Sequence, residues 1–128
     1  LASQFSSSSS SFVDVTGLSV TITPQSTTSK ILVLVNMCGG SASTNVLINL
    51  VRNGTNIAQS TGGTTNQTAF WGLPTSYQMQ QMAINYLDSP STTSALTYKI
   101  QINPNSGTTY INGRARDGYY GGISSITV

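Results

Sequence analysis

Ile31-Leu32-Val33-Leu34-Val35-Asn36-Met37 is the most apolar run in the chain, and its reading decides the fold. Five branched aliphatics stand in a row without a charge. Seven residues are too few for an independently stable helix and far too few for a membrane span. Branched side chains, stiff at χ1, suit a pleated strand. Apolar residues at consecutive positions present both faces of such a strand to apolar surroundings, so the run predicts a central strand covered on both faces. Cys38-Gly39-Gly40 ends it.

Strand patterns lie on both sides of this run. Leu18-Ser19-Val20-Thr21-Ile22-Thr23 alternates strictly and predicts a half-buried strand with Leu18, Val20 and Ile22 inward. A short strand over Phe12–Thr16 precedes it, with Gly17 as the break, and Pro24 stops the second strand. Val46-Leu47-Ile48-Asn49-Leu50-Val51-Arg52 places Val46, Ile48 and Leu50 on a core face. Asn53-Gly54 then signals a two-residue hairpin, because both residues tolerate positive φ, with Thr55 to Gln59 as the return strand. Thr68–Trp71 predicts a further short strand.

Residues 76–88 are ambiguous. Met79, Met82, Ala83 and Tyr86 fit a helical period. The β-rich flanks and the turn signature Asp88-Ser89-Pro90 favour a strand over Met82–Leu87 instead, with Met82, Ile84 and Tyr86 on one side. Ala95–Ile102 alternates with Leu96, Tyr98, Ile100 and Ile102 inward. Strands over Thr108–Asn112 and Ile123–Val128 complete the pattern. The expectation is an all-β fold, a jelly-roll-like antiparallel β-sandwich of about eight to ten strands and no amphipathic helix.

The chain has 128 residues, which bounds it to one domain over residues 12–128. Residues 1–11, with serine unbroken from Ser6 to Ser11, read as a linker or N-terminal arm. The start at Leu1 reads as a fragment or processed piece of something longer. Charged residues make up 6%, against about 25% in an average soluble chain. A surface of neutral hydrogen-bonding groups suits a protein outside the cell or one packed in an assembly. The five cations are scattered and the formal charge is +2, so no electrostatic footprint for nucleic acid is present. No apolar segment is long enough for membrane insertion.

Histidine and glutamate are absent, which excludes a Ser-His-Asp triad and a Cys-His pair. Acid–base chemistry would rest on Asp14, Asp88 and Asp117, and each has a plainer reading. Asp14 lies within a strand, Asp88 caps the turn before Ser89-Pro90 by bonding local backbone, and Asp117 lies in a polar loop. We therefore expect no enzyme, no catalytic residues, no metal and no cofactor. The lone Cys38 excludes an internal disulfide and reads as a small core hydrophobe. What remains is recognition by surface. Trp71, Tyr77, Arg114, Arg116, Tyr119 and Tyr120 are the candidate ligand-binding residues, since aromatic faces beside guanidinium and amide groups can stack on and hydrogen-bond a sugar. The alternative is that Phe70, Trp71, Tyr119 and Tyr120 are core or subunit-contact residues. Arg114, Arg116 and Asp117 read either as a solvated loop or as an intersubunit ion pair.

Taken together, several segments resemble a C-terminal domain of phage virion fibre proteins, especially those of marine and cyanobacterial viruses. They are Ser11-Phe12-Val13-Asp14-Val15-Thr16-Gly17-Leu18-Ser19-Val20-Thr21-Ile22-Thr23-Pro24, Ser29-Lys30-Ile31-Leu32-Val33, Leu50-Val51-Arg52-Asn53-Gly54-Thr55, Leu87-Asp88-Ser89-Pro90, Thr97-Tyr98-Lys99-Ile100-Gln101, Thr109-Tyr110-Ile111-Asn112 and Gly122-Ile123-Ser124-Ser125-Ile126-Thr127-Val128. Their order covers nearly everything after the serine run. The resemblance implies a jelly-roll-like sandwich, assembled as a homotrimer among other virion proteins. It implies location in the virion and a role in host attachment, with host-surface polysaccharide as the ligand class. A capsid decoration or head-fibre protein is the second role compatible with it. The family has no fixed catalytic motif, and its binding loops vary, so it assigns no site residues here.

Overall fold

The computed structural model describes residues 1–42, 45–63, 65–72, 78–117 and 120–128. They form ten strands: β1 (Phe5–Ser7), β2 (Val13–Ile22), β3 (Ile31–Ser41), β4 (Asn45–Arg52), β5 (Thr55–Ile57), β6 (Ala69–Gly72), β7 (Gln80–Asp88), β8 (Leu96–Asn103), β9 (Thr109–Ile111) and β10 (Ser125–Thr127). They build two five-stranded antiparallel sheets, packed face to face as a β-sandwich.

In one sheet β3 is central. β7 runs along one of its edges over nine consecutive pairs, from Ile31↔Asp88 to Gly39↔Gln80. β10 and β9 share the other edge, and β1 pairs with β9. In the second sheet the order is β2-β8-β4, with β5 and β6 sharing the far edge of β4. Inward residues alternate with outward ones along each strand. Val33, Val35, Met37 and Ile84 of the β3 sheet meet Leu18, Val46, Ile48, Leu50, Tyr98, Ile100 and Ile102 of the β4 sheet.

The predicted central strand is present, but its two faces are unlike. Odd-numbered residues from Ile31 to Met37 are buried. The even-numbered face is covered by the chain itself only from Cys38 onward, where Gly122, Ala115 and Gln78 lie against it. Leu32 and Leu34 stay 50% and 41% exposed, beside Leu87 at 54%. The expectation of cover on both faces is thus corrected for the first half of the run.

The expected strand over Met82–Leu87 forms as part of β7, with Ile84 buried and Met82 and Tyr86 packed beside it, so the helical alternative is excluded. The two strands expected on either side of Gly17 are one strand, β2. Gly17, at φ +87°, absorbs a register shift between Asp14 and Ser19, a bulge that an L-residue would strain. The Asn53-Gly54 turn has φ values of +47° and +85° and joins β4 to β5, as its sequence predicts.

The serine-rich start is docked. Leu1 and Ser124 exchange backbone hydrogen bonds at 2.7 and 3.1 Å, and β1 adds to β9. Leu1 and Phe5–Ser7 are thus held against the sandwich.

Asp88 is also corrected. It does not bond its local turn. Arg52 Nη1 donates to both its carboxylate oxygens at 2.8 and 2.6 Å, and the Tyr98 hydroxyl donates to Oδ2 at 2.7 Å. Asp88 closes the β3 sheet, whereas Arg52 and Tyr98 belong to the β4 sheet, so the cluster ties the two layers together at one end.

Candidate functional site

At the other end of β3 the chain crosses its own strand. Asn112 takes φ +61°, and its backbone N–H donates to Cys38 O at 2.7 Å. Its buried side chain donates to Leu1 O and Ser3 O at 2.7 and 3.1 Å and accepts from Ser124 Oγ at 2.6 Å. A bridge between Gly113 and Gly121 then closes the neck of a loop. The side-chain hydrogen bonds of Asn112 at this neck are buried or partly buried, and such satisfied polar networks hold a loop base rigidly.

The loop returns across Gly40. A Cβ at that position would lie 2.8 Å from Gln78 O and 3.1 Å from Ala115 N. Glycine is therefore required where two backbones meet over the strand. One is the loop carrying Arg114 and Arg116; the other is the segment at Gln78 that leads into β7. Gly122 seals the neighbouring position, since a Cβ there would lie 2.7 Å from Cys38 Sγ. Burial pushes the Cys38 thiol pKa up, which keeps it a poor nucleophile at neutral pH.

On the loop, Arg114 makes a two-point ion pair with Asp117. Its Nε donates to Oδ1 at 2.9 Å and Nη2 donates to Oδ2. The same guanidinium stacks over Tyr120, 4.5 Å from the ring centroid. Tyr120 is 56% exposed, and Arg116 is an exposed residue of the turn that carries Arg114 and Asp117. The Arg114–Asp117 pair lies within one chain. Tyr77 and Tyr119 lie outside the described residues.

Trp71 does not join this cluster. It is 4% exposed and packs in the core, where a Cβ on Gly39 would come within 3.0 Å of its Cη2. Its candidacy as a ligand-stacking residue is corrected to a core role, and Phe70, 54% exposed, is its outward neighbour. The four residues of β6 carry adjacent aromatics, and only pairing with β4 decides which points inward. Sequence reasoning did not single out Gly40, Gln78 or Asn112 for the site. The Asn112-Gly113 pair signalled a turn, yet nothing local revealed that its side chain would hold the N-terminal arm.

The cluster offers a stacking face and hydrogen-bond donors on open surface, and no pocket opens among the described residues. Asp14 pairs with Lys99, Asp88 with Arg52 and Asp117 with Arg114, so the three carboxylates belong to three separate ion pairs. Hydrogen bonds from Lys99 and Gln101 hold the Asp14 carboxyl below the usual carboxylate range. Among the described residues no group of three His, Cys, Asp or Glu is placed to hold a metal ion, and no helix is long and apolar enough to cross a membrane. No protein-family model matches the sequence, and comparison with curated proteins finds no similar chain.

Proposed function

We propose that this chain is a virion structural protein, a tail-fibre or spike receptor-binding domain that attaches a phage to host-surface glycan. In this reading it acts as a homotrimer alongside other virion proteins, in a jelly-roll-like sandwich. The observation that carries the reading is the rigidly based loop presenting Arg114, Arg116 and Tyr120. An exposed aromatic ring beside guanidinium groups is the combination that stacks on a sugar's CH groups and hydrogen-bonds its hydroxyls. Prepaying the loop's ordering in the neck hydrogen bonds favours affinity. Three weak sites on one particle gain avidity together.

The test is adsorption of particles carrying Tyr120→Ala or Arg114→Ala to host cells, with glycan-array binding of the purified chain in parallel. Loss of adsorption with an unchanged melting profile supports the reading; full adsorption by both variants overturns it. A capsid decoration or head-fibre role is the second reading. The uncharged apolar surface at Leu32, Leu34 and Leu87 favours it, because such a face suits burial in a particle. Immunogold labelling of capsids instead of tails would select it.

A further inference from the structure

Among the described residues, strand edges are guarded, with one exception. β2, at the rim of its sheet, carries the Gly17 bulge and the charge of Asp14. β5 and β6 on the opposite rim, and β1 and β10 in the other sheet, are only three or four residues long. Short, bulged or charged edges resist pairing with another chain. β7 has none of these guards. Its nine residues pair with β3 in unbroken register and include no proline, glycine, lysine or arginine. Its one charge, Asp88, is turned inward to Arg52 and Tyr98. Among the described residues, no backbone hydrogen bond reaches its other edge.

The face beside that edge is apolar in register. Leu32 stands directly opposite Leu87, and Leu34 follows two residues along the same face. The other outward positions there are Asn36, Gln81, Ala83, Asn85, Ser125 and Thr127. None is charged. Lys30 lies just before the first residue of β3.

We infer that this strip, the β7 edge with the Leu32–Leu34–Leu87 face, is where copies of this chain meet. The inference rests on the multi-copy reading above and gives it a surface. Charge selects the occupant. A nucleic acid or anionic membrane would call for cations on the face, and a charged partner protein for complementary groups. A neutral strip meets an identical molecule with no like charges opposed. Nine paired residues at about 3.4 Å and three strands at about 4.8 Å span roughly 440 Å², about half of what each partner gives in a standard interface, so contact through this strip is weak and depends on concentration.

The experiment is sedimentation equilibrium of the whole chain over a wide concentration range, for the wild type, Leu34→Asn and Ala83→Lys. The first variant removes apolar surface; the second places a cation on the β7 edge. Hydrogen exchange of the β7 amides is followed at low and high concentration. The expected result is a self-associating wild type, with each variant weakening association about tenfold or more while the dilute protein melts unchanged. The β7 amides become more protected as concentration rises. An oligomer whose mass neither variant alters, with unchanging β7 exchange, overturns this surface and leaves the multi-copy reading standing. A monomer at every concentration overturns both.

Discussion

Replacing Asp88 by alanine tests whether the Arg52–Asp88–Tyr98 cluster holds the two sheets together. The Asp88 side chain is 6% exposed, and Tyr98 is fully buried. In the variant the Tyr98 hydroxyl loses its acceptor, and an orphaned buried hydroxyl costs about 1–3 kcal/mol. Removing one partner of a buried ion pair costs about 3–5 kcal/mol. The Arg52 side chain keeps 26% exposure and regains water, so the low end applies. The expected total is about 3–4 kcal/mol. For 128 residues an unfolding entropy of about 2.1 cal/mol/K per residue turns this into a Tm drop of roughly 11–15 °C. Urea unfolding of wild type, Asp88→Ala, Tyr98→Phe and the double variant gives the energies and their coupling. Tyr98→Phe alone should cost about 1 kcal/mol, and the double variant less than the sum of the singles. A loss below about 1 kcal/mol for Asp88→Ala, or strict additivity, refutes the latch. The apolar replacement Arg52→Met/Asp88→Leu/Tyr98→Phe should restore most of the stability, because the ions were desolvated to form the pair.

Other outcomes follow from single residues. Burial, reinforced by the hydrogen bond to Asp88, raises the Tyr98 phenol pKa. The folded state therefore retains a proton that the unfolded chain releases near pH 10. This contribution is complete below that pH and is lost as pH rises from there toward the folded value. Stability measured by urea unfolding should fall above pH 10 in the wild type, with a shallower fall in Tyr98→Phe. Asn112→Ala should cost about 2–4 kcal/mol, having lost three buried side-chain hydrogen bonds at a positive-φ position, and should make residues 1–7 the first site of limited proteolysis. Gly39→Ala should fail to accumulate as folded protein, since its Cβ would fall on Tyr110 O and press on Trp71. The Asp14–Lys99 pair is half exposed on the acid side, so Lys99→Ala should cost at most about 0.5 kcal/mol. The depressed Asp14 pKa makes that small term present above the unfolded value and lost as pH falls through the folded one.

The β-sandwich was legible in the sequence wherever alternation ran for six or more residues. Leu96, Tyr98, Ile100 and Ile102 all point inward as their spacing predicts, as do Val46, Ile48 and Leu50. Legibility failed where the deciding partner is distant. Leu32 and Leu34 read as core because composition cannot distinguish a face covered by the same chain from one left bare. Asp88 read as a turn residue because Arg52, its partner, lies 36 positions away. β1 has the composition of a linker, yet its backbone completes an edge of β9, which requires no particular side chains. At the candidate site, the aromatic and arginine residues were visible as types. The crossing over Gly40 that gathers them depends on backbone packing between segments remote in sequence.

The pairing of early strands with late ones has a kinetic side. Phe5 pairs with Ile111 and Val13 with Ile102, so the first strands of the chain find their partners only after most of it is present. Contacts that close such long loops form late and slowly, since the entropy of closure is lost before the contact is gained. While β2 and the N-terminal arm wait for β8 and β9, the β3–β7 pair, which closes a shorter loop, can already form, with the Leu32–Leu87 face uncovered and an open edge. Refolding should therefore be slow and its yield should fall with concentration, with off-pathway association beginning at this strand pair.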